Sequence, residues 1–214
     1  MNNNIANIRK DYSLKELKEN DVAINPIKQF ETWWEEATVS QIDELNSMTL
    51  STASSNGLPS ARIVLLKGFS EKGFVFFTNY ESLKGQQLSE NPRVSLLFFW
   101  KELERQVQIV GIAEQLNDKE NDEYFYSRPL ASQIGACVSP QSRVIKNREW
   151  LYNQFEELSK KNENTKILRP NYWGGYVVKP VSVEFWQGRP SRLHDRLQYN
   201  LIDDGSWTIE RLAP

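Results

Sequence analysis

The 214-residue sequence contains a single cysteine, Cys137, and a single histidine, His194. One chain therefore cannot assemble a disulfide framework or a Cys/His zinc site. Hydrolase schemes that pair a nucleophile with histidine are also excluded, unless His194 itself is the base. Cys137 is expected to be a buried thiol. The longest strongly apolar run, Val94 to Trp100, is far short of the roughly 20 residues that cross a bilayer. The opening stretch, Met1 to Ala6, is polar and Asn-rich and lacks the basic start and apolar run of a secretory signal. A soluble, cytoplasmic protein is expected. Net charge is also scarce: the formal value of -2 provides no field that would favour nucleic acid or an anionic membrane as partner. Any anion must be held by a local cluster. No nucleotide-binding Gly-x-Gly-x-x-Gly occurs, and repeats and low-complexity tracts are absent. With so few catalytic side chains, chemistry here calls for a borrowed cofactor.

Aromatic residues are abundant, with seven Trp, eight Tyr and ten Phe, which suits a β-rich core or a stacking pocket. The length fits one compact domain better than two. Leu14 to Glu19 and Pro26 to Glu36 read as helices, the second with Asn25 as N-cap, Pro26 at the first helical position, and Ile27, Phe30, Trp33 and Trp34 on one face. From Met48 the period changes. Met48 to Ala53, Arg62 to Lys67 and Phe74 to Thr78 are strand-like and separated by turn residues. A short helix over Ser82 to Glu90 leads into strands Val94 to Trp100 and Gln106 to Ala113. Asn117 to Lys160 reads as helical, broken at Arg128-Pro129 and near Ser139-Pro140, because a residue before proline avoids the helical region. Tyr176 to Val178, Val183 to Trp186, Leu193 to Tyr199 and Trp207 to Leu212 return to strand, with a hairpin turn at Asp203-Asp204-Gly205. The order predicts an α+β, mainly β domain built on an antiparallel barrel with flanking helices.

Four clusters carry candidate chemistry. In Arg62-Ile63-Val64-Leu65-Leu66-Lys67, strand alternation puts Arg62 and Lys67 on opposite faces, where they could serve two separate anionic sites or simply reach solvent. Thr78 to Lys84 joins a strand end to a helix start, whose free N–H groups and dipole attract phosphate; a lysine there is more often just solvated. Tyr124, Arg128 and Ser132, spaced four apart, offer a ring, a guanidinium fork and a hydroxyl. With Pro129 breaking the helix, Arg128 stands at a corner and Ser132 in the next first turn. Finally, alternation over Arg192-Leu193-His194-Asp195-Arg196 puts Arg192, His194 and Arg196 on one face, near Trp186. Taken singly, the first three clusters read most simply as surface residues, and the fourth is the most informative.

Taken together, these segments resemble the pyridoxine/pyridoxamine 5'-phosphate oxidase family from about Arg9 to Pro214. The likeness rests on Arg62 to Lys67, Asn91-Pro92-Arg93-Val94-Ser95-Leu96-Leu97-Phe98, Glu104-Arg105-Gln106-Val107, Ser127-Arg128-Pro129, Ser132-Gln133-Ile134-Gly135-Ala136, Glu184-Phe185-Trp186-Gln187-Gly188, Arg192 to Arg196 and the ending Glu210-Arg211-Leu212-Ala213-Pro214. The resemblance implies a split β-barrel homodimer with FMN at the subunit interface. It implies a single domain over 21–214, preceded by a flexible segment, 1–20, that closes over the substrate. Arg62 and Lys84 would hold the FMN phosphate, with Ile63, Val64, Leu65, Leu66, Lys67, Phe77, Thr78, Gln106, Gln141, Ser142, Trp186 and Arg196 completing the cofactor site. Lys67, Tyr124, Arg128 and Ser132 would hold the substrate phosphate. Arg192, Leu193 and His194 would cover the pyridine ring, and Arg9 and Tyr12 would close over it. Leu83 departs from the family pattern, in which a second basic residue usually precedes Lys84; the lost contact is worth about 1.5–3 kcal/mol.

The implied reaction is oxidation of pyridoxine 5'-phosphate or pyridoxamine 5'-phosphate by oxygen to pyridoxal 5'-phosphate, with hydrogen peroxide and, from the amine, ammonia as co-products. Arg192 would orient the ring, while His194 would either handle a proton or close the site. Two other functions fit a flavin-binding fold: a reductase that uses FMN with a nicotinamide donor, and a protein that stores FMN or pyridoxal phosphate. The phosphate-binding set and the Arg192-Leu193-His194 stretch separate the oxidase from both.

Overall fold

A computed structural model describes residues 5, 7, 10–162 and 165–214. Arg9, expected over the substrate, lies outside the described residues. Among the described residues nine strands and five helices follow one another in mixed order: α1 Pro26–Val39, β1 Ser47–Ala53, β2 Pro59–Leu65, β3 Gly68–Ser70, β4 Gly73–Asn79, α2 Leu83–Glu90, β5 Arg93–Trp100, β6 Arg105–Gln115, α3 Asp118–Ser127, α4 Leu130–Val138, α5 Arg148–Lys161, β7 Trp173–Gln187, β8 Asp195–Leu201 and β9 Trp207–Arg211. The strands pair in the order β2-β1-β5-β6-β7-β4-β3, with β8 on β7 and β9 on β8. The chain divides into two compact units, one drawn from Met1–Leu50, Ser95–Gly111 and Pro180–Pro214, the other from Ser51–Val94 and Ile112–Lys179.

In the first unit an aromatic core forms around α1. Asn25 accepts from the amide of Ile27 at 2.7 Å and Pro26 opens the helix, as its fixed φ and missing N–H favour. The helix buries Ile27, Phe30, Trp33 and Ala37, while Trp34 is half-buried and stacks on Phe30. Phe30 meets Phe98 and Trp100, and Trp33 meets Phe185 edge-on. The antiparallel pair β7–β8 aligns Trp186 with Arg196 and Phe185 with Leu197.

The helix expected over Leu14 to Glu19 does not form; only a single 3-10 turn, Glu19–Asp21, appears. The amides of Ser13 and Leu14 donate to Oε2 of Glu104, and that of Leu17 donates to Oδ2 of Asp195. Of these donors only the Leu17 amide would have been used inside such a helix, whose first-turn amides have no internal acceptor; the two distant carboxylates instead hold the segment in a non-helical path.

In the second unit, β4 pairs antiparallel with the first half of β7, Phe74 opposite Val178 through Asn79 opposite Trp173. Phe74, Phe76, Tyr176 and Val178 are buried there, and Phe125, Ile134, Ile167 and Trp173 form a second buried group beneath α3 and α4. The two strands expected over Tyr176 to Val178 and Val183 to Trp186 are one continuous strand. Pro180 falls where pairing with β4 has ended at Val178 and pairing with β8 has yet to begin at Ser182. There its missing N–H breaks no bond in either ladder.

Candidate functional site

Strand β2 supplies the first functional side chains. Its residues alternate between exposed and half-buried from Pro59 to Leu65, as a period of two requires. The strand ends at Leu65; Leu66 turns into the core and the Lys67 amide is held by the carbonyl of Val75 at 2.8 Å. Arg62 and Lys67 therefore do not serve opposite faces. Both line one cavity of about 530 Å³, with Ile63, Val64, Leu65, Phe77, Thr78, Lys84, Tyr124, Arg128, Ser132 and Gln141 also in its wall.

Lys84 reaches this cavity because α2 begins beside it. Ser82 caps the helix by accepting from the Gly85 amide. A side chain on Gly85 would collide with the backbone carbonyl of Tyr80, so only glycine lets the first turn sit this close. The buried Lys84 ammonium donates to Gln141 Oε1 at 2.7 Å and to Thr78 Oγ1 at 3.2 Å. Burial and the nearby Arg62 guanidinium pull its pKa down to about 8. Arg62 donates to Thr52 Oγ1 at 2.6 Å, and Thr52 donates in turn to Gln87 Oε1.

Across the cavity, α3 ends at Ser127 and Arg128 adopts extended backbone before Pro129. Arg128 is thus the expected corner, with Ser132 in the first turn of α4. Phe77 stacks on Tyr124 with ring centres 3.9 Å apart, and Trp173 lies parallel to both. The Arg128 guanidinium sits 4.6 Å above Trp173. Its Nη1 is buried and has no hydrogen-bond partner, and burial lowers its pKa. The lining holds four cations, Arg62, Lys67, Lys84 and Arg128, and no carboxylate. Burying the Lys84 ammonium and the Arg128 Nη1 is costly unless an anion completes the site.

A second pocket lies within the first unit, lined by Lys10, Asp11, Tyr12, Arg189, Ser191, Arg192 and His194. The expected strand row of Arg192, His194 and Arg196 does not form. Pro190–Arg192 is a 3-10 turn in which Ser191 and Arg192 have φ of 56° and 62°, and β8 begins only at Asp195. Gly188 and Pro190 bend the chain too soon for strand pairing to reach Arg192. Arg196, inside the strand, is engaged by Glu184 and by the carbonyl of Ala213. Tyr12 meets Trp186 edge-on and contacts His194. It packs so closely that a Cβ on Gly188 would lie 2.7 Å from its own.

Of the remaining expected residues, Gln106 is half-buried on β6, Ser142 is exposed with φ of 69°, and Leu193 is exposed. None of the three lines either pocket. Cys137 is half-buried rather than buried. The sequence reading missed Trp173, Thr52 and Gln87, which support Arg128 and Arg62. None carries a distinguishing local pattern, since each acts through a partner on another element.

Residues 34–162 match the family profile described as pyridoxamine 5'-phosphate oxidase, and residues 173–214 match the one described as pyridoxine 5'-phosphate oxidase C-terminal dimerisation region. A pyridoxine/pyridoxamine 5'-phosphate oxidase of Trichormus variabilis is 54% identical over 214 residues, covering 100% of both chains. One from Salinibacter ruber is 51% identical over 98% of this chain and 99% of its own. Among solved structures, PhzG from Burkholderia lata, in complex with tetrahydrophenazine-1-carboxylic acid, superposes with a TM-score of 0.88 at 31% identity, covering 94% of this chain and 100% of that one. Among the described residues no helix is long and apolar enough to cross a membrane.

Proposed function

Because the chain belongs to the pyridoxamine 5'-phosphate oxidase family, a group of FMN-dependent oxidoreductases on a mainly β split barrel, we propose that FMN and a phosphorylated pyridine substrate bind at the carboxylate-free cavity on β2, β4 and α2. The reaction is oxidation of pyridoxine 5'-phosphate or pyridoxamine 5'-phosphate to pyridoxal 5'-phosphate. One observation supports this assignment above the others. The buried, unpartnered Nη1 of Arg128 stands in a wall of four cations with no carboxylate, and a phosphate dianion would satisfy both the donor and the charge. The cavity volume also falls in the range of about 300–1,000 Å³ usual for ligand sites.

Arg62 and Lys84, the latter in the first turn of α2, are the residues to hold the FMN phosphate. Lys67, Tyr124, Arg128 and Ser132 are those to hold the substrate phosphate, and the stacked Phe77, Tyr124 and Trp173 exclude water around it. Bound there, FMN would supply the two-electron acceptor that oxidation of the substrate carbon requires, with oxygen as the final oxidant. By the family resemblance, Arg192, Tyr12 and His194, which line a pocket of their own, are the residues to contact the pyridine ring. The match of residues 173–214 to a dimerisation region supports a homodimer, and we place FMN at its interface, so that each site draws on both chains. Localisation in the cytoplasm is the natural setting for this reaction.

The test is to load the protein with FMN, add pyridoxine 5'-phosphate without oxygen, and follow flavin absorbance. Bleaching, followed on admission of air by pyridoxal 5'-phosphate, is the expected result. A flavin that stays yellow with both substrates would turn the assignment to storage, or to a reductase needing a nicotinamide donor. Unphosphorylated pyridoxine should be a poor substrate. Removing the Arg192 side chain should lower turnover far more than FMN content.

A further inference from the structure

We propose that His194 serves the pocket as a hydrogen-bond donor through its Nε2 proton, its tautomer fixed by the backbone amide of Arg189, and that it is not the base that takes the substrate proton. The amide of Arg189 donates to His194 Nδ1 at 3.1 Å. An amide N–H is only ever a donor, so Nδ1 must carry its lone pair, and the neutral ring then bears its proton on Nε2. Burial and the Arg192 guanidinium hold the imidazole pKa below its ordinary value, so the neutral ring is the form present near pH 7. With its one basic nitrogen already engaged, that ring has no lone pair to offer a substrate hydroxyl or ammonium.

The amide that fixes the tautomer is itself held in place. Arg189 Nη2 bonds Glu16 at 2.7 Å, Nη1 donates to the carbonyl of Lys15 at 3.2 Å, and Nε lies 3.5 Å from Asp195. The following turn is closed by the Leu193 amide donating to the carbonyl of Pro190. It places two successive non-glycine residues, Ser191 and Arg192, in left-handed conformation, which L-residues adopt only where the surroundings impose it. The imidazole is also bracketed, with Trp186 at 4.7 Å and Tyr12 at 5.9 Å between ring centres. Exchanging the two nitrogens would require the ring to turn between these aromatics and give up the Arg189 bond.

The tautomer follows from this geometry alone, whereas the donor role rests on the oxidase reading above. In that reading the Nε2 proton would be offered to a polar atom of the bound substrate, which it orients without accepting a proton.

As the chain has one histidine, ¹⁵N-labelled histidine in the full FMN-loaded protein gives a single pair of ring-nitrogen signals. The expected result at pH values above the imidazole pKa is a pyrrole-type shift at Nε2 and a pyridine-type shift at Nδ1. The reverse pattern, or two averaged shifts, would overturn the assignment. The role is read from two variants at matched flavin content. His194→Gln keeps a donor near Nε2 and has no base, and should retain about tenfold more turnover than His194→Ala, the value of one hydrogen bond. Equal losses would overturn the donor role. Neither result touches the oxidase reading, which stands or falls on turnover by the unaltered protein.

Discussion

Arg128 concentrates the chemistry of the cavity into one side chain, held above Trp173 with one nitrogen buried and unsatisfied. Replacing it with alanine removes a charge-assisted contact worth about 1.5–3 kcal/mol, so KM for pyridoxine 5'-phosphate should rise roughly 10- to 150-fold with flavin content unchanged. Steady-state kinetics with a flavin spectrum checks both. Lys84 yields a pH prediction. Its pKa in the folded protein is about 8, and a bound phosphate favours the charged form, raising it again. Affinity for FMN is therefore fully present below pH 8 and declines as pH rises through that value, as fluorescence titration across pH 7 to about 10 would show. The linkage to stability has the opposite sense: between pH 8 and the ordinary lysine value the unfolded chain binds more protons, so the FMN-free protein gains stability as pH rises through that window.

At the scale of elements, the segment before α1 behaves as a strap whose path is set by side chains distant in sequence. Glu104, buried and left-handed at φ of 55°, accepts from the amides of Ser13 and Leu14 and pairs with Lys10 at 3.2 Å. Burial alone would raise its pKa, but these three contacts hold it below the usual carboxylate value. A depressed carboxylate stabilises above its unfolded pKa and loses that contribution as pH falls through the folded one. The strap should loosen on acidification, and Glu104→Ala should loosen it at neutral pH. Amide exchange at Ser13 and Leu14 is expected to speed up by roughly tenfold or more, whereas unchanged exchange would mean that packing of Tyr12 against Gly188 carries the strap. The hydrophobic period by itself points to a helix here, because Leu14 and Leu17 are placed as a helix would place them; nothing local announces that Glu104 and Asp195 will claim the amides.

At the scale of the whole molecule, the first unit is pinned by Arg105. It is buried, donates to Gln187 Oε1 at 2.9 Å and to Glu36 Oε2 at 2.8 Å, and lies 4.2 Å over Trp33. Arg105→Met should cost about 3 kcal/mol in urea unfolding, the low end for a broken buried pair because Glu36 keeps Lys15 as partner; a change under about 1 kcal/mol would show that the pair is dispensable. The sequence by itself determined the sheet-rich class, the N-cap and Pro26 of α1, the break at Arg128-Pro129 and the alternation along β2, since each depends on propensities or periods within a few residues. Through the resemblance it also pointed to Arg62, Lys67, Lys84, Tyr124, Arg128 and Ser132 as a set. Only the tertiary structure decided that these six share one carboxylate-free cavity, that Arg192 sits in a left-handed turn and His194 just after it, both outside β8, and that the strap is not helical. The cavity and the path of the strap rest on contacts between residues scores of positions apart, which leave no trace in any short window of the chain, whereas the turn at Arg192 follows from Gly188 and Pro190 acting against the strand period.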